Sequence, residues 1–313
     1  MTSLDSVKER GRGALVRSMR ACVDQDHVPW MAKALYVSGC QLLLPRLGIE
    51  EDETPVESRY GTKFVAGPGG AWLNSILRYR GVFEPVLSEF ILEHVREGDV
   101  CVDAGANCGY YSLLLAQRVG ASGKVIAIEA APDNAQRLRA NLELNGATDN
   151  VEVVVAACAG QKGELTLYLH PHNDALCRLN PPAKGERDRR QFGSTWIPVQ
   201  VPADTLSSIV GSEAGNVSFI KLHIEGAEAE VAPEIPDKFT HPQLVVALLA
   251  KEPNIEATLK TFEDRGFHIY NPHEDYRWLF ERSKPTISAA AYSDFGNRGT
   301  IWVIVSRQPL TLS

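Results

Sequence analysis

The chain lacks the features that mark disulfide-stabilised, zinc-binding and membrane-spanning proteins. Its six cysteines are scattered over 313 residues, and no two of them form a Cys-x-x-Cys pair. The sequence contains no uninterrupted run of about 18 apolar residues, the length that a membrane span needs. Residues 1–20 mix both charge signs ahead of any apolar stretch, unlike a secretory signal. We therefore expect a protein of the reducing cytoplasm, without a transmembrane segment.

An excess of basic residues is also missing. Lys and Arg total 32 against 39 Asp and Glu, which gives a net charge of −7. A protein that grips a phosphate backbone normally presents a basic surface. The charge balance therefore argues against a nucleic-acid partner, and the apolar content of 44% indicates an ordinary globular protein.

Short apolar runs alternate with runs of helical period between Gly98 and Gly266. This alternation predicts βαβ units around a mostly parallel sheet, an α/β fold. Helices are expected over 110–119, 132–145 and 254–265. Strands are expected over 99–103, 124–129, 151–156, 217–222 and 244–249. Two later runs, 267–270 and 300–305, are expected to pair at the sheet edge and to complete seven strands.

Two regions depart from this alternation. Residues 1–80 are predicted to form a helical cap on a main domain at 81–313. The apolar run 28–47 within the cap also has an alternative interpretation, a helix lying on a membrane surface. In the main domain, 164–170 and 196–201 have the composition of strands. The irregular segment at about 170–195 that joins them is either disordered or a functional lid.

The most informative motif is VDAGANCGYY at 102–111, where the first strand ends and a helix begins. Ligands of open α/β sheets bind at this edge. Gly105 and Gly109 let the backbone approach a ligand closely, and N–H groups at a helix start favour an anion. A dinucleotide-binding turn would have glycine where Asn107 and Tyr110 stand. A side chain at the second position suits a cofactor without a pyrophosphate.

S-adenosylmethionine (SAM) is such a cofactor, with an amino-acid end, a ribose and an adenine. Glu129 ends the second strand, where its carboxylate can accept the ribose hydroxyls, and Asp103 is expected near the methionyl ammonium. The alternative is a tight strand-to-helix turn in an unrelated α/β protein. The predicted cofactor-binding residues are Asp103, Gly105, Ala106, Asn107, Gly109, Tyr110, Glu129 and Ala130.

Two nearby positions are ambiguous from the sequence. One of Tyr110 and Tyr111 is expected to pack beneath the helix, and the other to line the cofactor pocket. Glu84, ahead of the first strand, is interpreted as a surface charge, with a contact to the cofactor as the alternative.

Three segments resemble the FkbM-type SAM-dependent methyltransferases. They are VDAGANCGYYSLLLA at 102–116, VIAIEAAPDNAQRLRANLELNG at 125–146 and IKLHIEGAEAEV at 220–231. The resemblance covers roughly residues 80–305. It implies a class I, Rossmann-like methyltransferase fold and SAM as the cofactor. For many members it also implies O-methylation of hydroxyls on sugars, glycolipids or polyketide-derived compounds.

The third segment departs from the family at one position. The family usually reads I-K-I-D-V-E-G-x-E, and His223 stands where the family has Asp. An alcohol must lose a proton as it is methylated, and imidazole accepts protons readily near neutral pH. We therefore expect His223 to be the general base, with Glu225 or Glu228 orienting its ring or the substrate. Lys221 is expected to steer the substrate.

The sequence leaves two other interpretations of His223 open. It can be a structural residue that closes the strand, or catalysis can have been lost. In the second case the chain would be a SAM-binding regulator or scaffold. Because imidazole is a poor ligand for magnesium, no metal is expected. The predicted acceptor is a small molecule or glycoconjugate that carries a hydroxyl group.

Overall fold

The computed structural model describes residues 55–65, 71–170, 177–178, 196–224, 226–251, 254–273, 286–295 and 300–311. Most of the predicted cap at 1–80, including the run 28–47, lies outside these residues. So do Glu225 and nearly all of the irregular segment at 170–195. Among the helices in the described ranges, none has the length and apolar character needed to cross a membrane.

Helices and strands alternate through most of the described chain. The helices are α1 (Ala71–Arg80), α2 (Pro85–His94), α3 (Tyr110–Val119), α4 (Pro132–Asn145), α5 (Leu206–Val210), α6 (Glu228–Val231), α7 (Ile235–Lys238) and α8 (Ile255–Glu263). The strands are β1 (Val56–Glu57), β2 (Lys63–Phe64), β3 (Val100–Ala104), β4 (Lys124–Ile128), β5 (Val151–Val154), β6 (Ala157–Cys158), β7 (Gly163–Leu169), β8 (Cys177–Arg178), β9 (Ile197–Asp204), β10 (Val217–Leu222), β11 (Val245–Lys251), β12 (His268–Pro272), β13 (Ile287–Ala290) and β14 (Thr300–Ser306).

The largest sheet in the described residues has eight strands in the order β13-β12-β14-β11-β10-β3-β4-β5. The five strands from β11 to β5 are parallel, and β14 lies antiparallel between β11 and β12. The mostly parallel sheet and the pairing of 267–270 with 300–305 are therefore confirmed. The predicted count of seven strands was wrong, because β13 adds an eighth at the edge. Its sequence, ISAA, is short and weakly apolar, which is why it gave no strand signal.

Helices cover both faces of this sheet, and the alternation of side chains along β3 explains why. Cys101 points to the face covered by α2, α3 and α4, whereas Val102 points to the face covered by α5, α7 and α8. Because both faces carry apolar side chains, both must be buried. Because β4, β3 and β10 are adjacent and parallel, their carboxyl ends lie side by side at the same end of the sheet.

A second, four-stranded sheet is formed by the segment between β5 and β10, in the order β6-β9-β7-β8. The strands predicted at 164–170 and 196–201 are confirmed as β7 and β9, which pair antiparallel. One face of this sheet buries a small apolar cluster that includes Leu167 and Val201. Ala131, which follows β4 of the large sheet, belongs to the same cluster. The second sheet therefore packs against the segment that carries Glu129.

Candidate functional site

The turn between β3 and α3 is held close to the end of β10. Gly105 has φ +76° and Gly109 has φ +92°, both in the left-handed region that glycine tolerates. A Cβ placed on Gly105 would lie 1.7 Å from the carbonyl oxygen of His223. Only glycine fits at this position, because the opposing atom belongs to the backbone. From the sequence, Gly105 was expected to let the backbone approach a ligand; in the structure its close neighbour is the backbone of His223.

Asn107 is one of two non-glycine residues in the described chain with positive φ, at +50°. Asparagine tolerates this conformation better than most residues. Its side-chain Oδ1 accepts a hydrogen bond from the Cys108 N–H at 2.6 Å. The N–H groups of Gly105 and Ala106 both donate to the Ile128 carbonyl oxygen at 2.9 Å. These bonds fix the turn across the end of β4.

Glu129 joins that turn to the segment after β4. Its Oε2 accepts the Asn107 N–H at 2.7 Å, and its Oε1 accepts the Ala131 N–H at 2.8 Å. The side chain is 7% exposed. Burial raises the pKa of Glu129, against the lowering effect of these two N–H groups and of Lys221. The Asn134 side chain also hydrogen-bonds to this carboxylate. Of the roughly four lone-pair sites of a carboxylate, about one therefore stays open to a ribose hydroxyl.

A buried ion pair lies beneath the turn. Lys221 of β10 faces Asp103 of β3 in the parallel register, with Nζ 3.0 Å from Oδ1. The two side chains are 3% and 0% exposed. The Ser112 hydroxyl donates to the other Asp103 oxygen at 2.6 Å. The Asp103 carboxylate is thus held by two partners from within the fold.

Lys221 also supports the turn directly. Its ammonium donates to the Gly105 carbonyl oxygen at 2.6 Å and lies 3.3 Å from that of Ala104. It lies 5.5 Å from the centroid of the Tyr111 ring, a cation–π distance. The residue is 2% exposed. The Lys221 ammonium therefore contacts the backbone of the turn and the Asp103 carboxylate. From the sequence, we had expected this charge to steer the substrate.

The two tyrosines at the start of α3 have different surroundings. The Tyr110 hydroxyl accepts the Phe83 N–H at 3.1 Å and pairs with the Ser88 hydroxyl at 3.0 Å. The Tyr110 hydroxyl is therefore bonded to the segment around the start of α2, and the place of this tyrosine in the cofactor pocket stays a prediction. Tyr111 is the tyrosine that contacts Lys221.

Glu84 is half-buried, which differs from the interpretation as a surface charge. Its carboxylate accepts a hydrogen bond from the Tyr111 hydroxyl. It is the other non-glycine residue with positive φ in the described part of the chain, at +41°. A charged residue in this unfavourable conformation is held there by its surroundings.

His223 lies at the carboxyl end of β10, where the sequence predicted it. Its backbone N–H donates to the Ala104 carbonyl oxygen at 3.0 Å. The ring meets the Trp302 ring edge to face, with centroids 5.7 Å apart and an interplanar angle of 90°. The backbone of His223 therefore borders the turn, and its side chain borders β14.

Glu228 holds the loop that follows His223. Its two oxygens accept the N–H groups of Ile224 at 2.9 Å and Gly226 at 2.8 Å. The residue is 3% exposed. The structure therefore places this carboxylate on the backbone of the loop. Glu225, the other residue expected to orient His223 or the substrate, lies outside the described residues.

Three residues of the site were not identified from the sequence: Ser112, Tyr111 as the partner of Lys221, and Trp302. Ser112 is the third residue of α3, in its first turn, and its hydroxyl faces Asp103 of β3. Trp302 could be identified only once the pairing of β14 with β11 was known, because in that pairing it lies opposite Leu249. That pairing brings a residue near the end of the chain to the edge where β10 ends.

Known proteins resemble this chain at three levels. A family model described as "Methyltransferase FkbM domain" matches residues 103–269, more than half of the chain. Protein-L-isoaspartate O-methyltransferase 2 of Archaeoglobus fulgidus is 49% identical over 69 residues, covering 22% of this chain and 30% of that protein. Protein-L-isoaspartate O-methyltransferase of Aeropyrum pernix is 46% identical over 115 residues, covering 36% and 43%. The chain spans less than half the length of these two relatives.

Among solved structures, the chain is similar to a SAM-dependent O-methyltransferase of Thermotoga maritima. The TM-score is 0.42 at 16% sequence identity, and the superposition covers 86% of this chain and 83% of that one.

Proposed function

Since this chain belongs to the FkbM methyltransferase family, we propose that it transfers the methyl group of SAM to a hydroxyl of a small-molecule acceptor, such as a sugar, a glycolipid or a polyketide-type compound. The chain is a SAM-dependent methyltransferase with a class I, Rossmann-like fold. The finer assignment to O-methylation rests on one observation. A proton-accepting side chain, His223, stands at the end of β10 and borders the glycine turn.

The groups at the carboxyl ends of β3, β4 and β10 suit SAM. Glu129 would bind a ribose hydroxyl through its remaining acceptor site, and the turn at 105–109 would lie against the amino-acid end. Lys221 would hold that turn in place through its contacts with the Gly105 carbonyl oxygen and the Asp103 carboxylate. When bound, SAM supplies an electrophilic methyl group on a sulfonium.

His223 is assigned the proton transfer. Its imidazole would accept the proton of the acceptor hydroxyl while the oxygen forms its bond to the methyl carbon and the carbon–sulfur bond breaks. The oxygen must be in line with the methyl group and the sulfur, so the acceptor must lie on the His223 side of the cofactor. The net charge of −7 supports a small acceptor over a nucleic acid.

Replacing His223 with alanine is expected to lower kcat by about 10²- to 10⁴-fold, because the hydroxyl loses its base. Affinity for S-adenosylhomocysteine, the demethylated product, should not change. The measurement is transfer from labelled SAM to a panel of hydroxylated acceptors, with carboxylate acceptors included, and calorimetry with the product. His223→Asp restores the residue that is usual in the family and is expected to retain part of the activity.

Full activity of the alanine variant between about pH 6 and 8 would exclude His223 as the base. If only carboxylate acceptors are methylated, the proposal that the acceptor group is a hydroxyl is wrong. If the wild type binds S-adenosylhomocysteine but labels no acceptor, the chain is better described as a SAM-binding regulator or scaffold.

Replacing Glu129 with glutamine is expected to weaken S-adenosylhomocysteine binding by about 10- to 100-fold. The amide has one acceptor oxygen where the carboxylate has two, and its NH₂ group would face a backbone N–H. Calorimetry measures the change. Glu152→Gln on β5 is a matched control, because Glu152 is 56% exposed and bound only to the Lys124 side chain among the ion pairs of the described residues.

Binding should also weaken on acidification. Burial raises the pKa of Glu129, so its protonation begins at a higher pH than for an ordinary glutamate. Ribose hydroxyls favour the ionised carboxylate, so affinity is complete above the raised pKa and is lost as the pH falls through it. The Gln variant should lack this dependence. An identical pH dependence in the variant would remove Glu129 from the ribose site.

A further inference from the structure

Trp302 of β14 carries a polar group that the fold leaves unused. Its side chain is 6% exposed, and the buried indole Nε1 has no hydrogen-bond partner within the described part of the chain. An indole N–H is a donor only, so the missing partner must be an acceptor atom. Buried donors are rarely left without a partner, and such a group calls for an explanation.

The position of Trp302 points to the kind of partner. Its ring lies edge to face with His223, at 5.7 Å between centroids, and with Tyr111, at 6.3 Å. Trp302 therefore packs directly against His223, the residue assigned as the base.

The order of the strands separates Trp302 from the cofactor. Along the sheet edge, Glu129 follows β4, the glycine turn follows β3 and His223 follows β10, whereas Trp302 is on β14, beyond β11. Adjacent strands lie about 4.8 Å apart, so β14 is about 10 Å from β10, on the side away from Glu129. Ribose and amino-acid ends of the cofactor are accounted for by β4 and β3. We therefore assign the part of the sheet that carries Trp302 to the methyl acceptor.

We propose that the indole N–H of Trp302 binds an oxygen of the acceptor next to the hydroxyl that is methylated. This inference rests on the proposed function, because it takes His223 as the base of an O-methylation. His223 accepts the proton of one oxygen, and Trp302 donates to its neighbour. The preferred acceptors are then compounds with oxygen atoms on adjacent carbons, as in a pyranose ring, and isolated alcohols are poorer substrates. Trp302 is a binding residue that determines specificity.

The first test observes the indole N–H directly. The ¹⁵N-labelled protein is loaded with S-adenosylhomocysteine and titrated with methyl glucoside, trans-1,2-cyclohexanediol or cyclohexanol. The Trp302 signal is identified by its absence in Trp302→Phe. We expect a downfield shift with the first two compounds and none with cyclohexanol. If neither vicinal-oxygen compound shifts the signal, the proposal is overturned, whether or not methyl transfer is observed.

The second test uses turnover. Trp302→Phe keeps an aromatic ring and loses the N–H, and is expected to raise KM about tenfold for acceptors with adjacent oxygens. For matched acceptors without the second oxygen, KM should stay the same, and so should product affinity. An equal rise for both acceptor classes would show a packing effect and contradict the proposal. Shifted signals without any transfer by the wild type would instead contradict the proposed function alone.

Tyr270→Phe is the control variant. Tyr270 is 4% exposed on the neighbouring β12, and its hydroxyl accepts the Leu310 N–H at 2.8 Å. The substitution removes a buried polar group from the same sheet and keeps the ring. It should lower stability without changing the ratio of KM values between the two acceptor classes.

Discussion

Replacing Gly105 with alanine will abolish detectable binding of S-adenosylhomocysteine and will destabilise the fold. The new Cβ would lie 1.7 Å from the His223 carbonyl oxygen and 2.8 Å from its carbonyl carbon. Neither atom can rotate away, because both belong to the backbone at the end of β10. The turn after β3 would have to move away from β10, which would break the Lys221 contact at 2.6 Å. Calorimetry and chemical denaturation measure the two effects.

Gly146→Ala is the matched control for this substitution. Gly146 has φ +64°, close to the +76° of Gly105, but a Cβ there would meet nothing within 4 Å. It therefore carries only the conformational cost of a left-handed alanine, about 1 kcal/mol. Similar stability and affinity in the two variants would show that the close approach to His223 does not shape the cofactor turn.

Replacing Lys221 with methionine is expected to cost about 3–5 kcal/mol of unfolding free energy. Asp103, which is 0% exposed, would keep a buried negative charge without its partner at 3.0 Å. The carbonyl oxygens of Ala104 and Gly105 would also lose a donor. We expect S-adenosylhomocysteine affinity to fall more than 100-fold, about 3 kcal/mol, since the turn loses its support. Urea denaturation and calorimetry test the two expectations separately.

The double variant Asp103→Asn, Lys221→Met distinguishes the two roles of Lys221. It removes both charges and keeps a polar group beside the Ser112 hydroxyl, so most of the stability should return. Affinity should stay low, because the turn carbonyls still lack their donor. If affinity returned together with stability, Lys221 would serve only as the counter-ion of Asp103.

The elements nearest the cofactor turn could be predicted from the sequence. The bounds of α3 and α4 agree with the prediction because their ends are marked chemically. Glycines flank α3, while Pro132 opens α4 and Gly146 follows it in the left-handed conformation. The position of His223 at the end of a strand followed from the six-residue segment VSFIKL of β10, in which four residues are apolar. Local chemistry sufficed in each case.

The contacts of Lys221 could not be predicted in the same way. Its partner Asp103 is more than a hundred residues away, and only the register of β3 with β10 sets the two side chains opposite each other. A lysine in a motif has the same local pattern whether it faces a substrate or a carbonyl oxygen. Trp302 presented the same difficulty, since its place beside His223 depends on β14 entering the sheet between β11 and β12.

The four-stranded sheet limits which changes in the length of the segment between β5 and β10 the domain can accept. Ala131 donates its N–H to Glu129 and also packs among the apolar residues of β7 and β9. A descendant that shortened the insertion would uncover this alanine and loosen one of the two N–H groups that hold the carboxylate. We therefore expect changes in the length of β7 or β9 to loosen the Glu129 carboxylate as well as the second sheet.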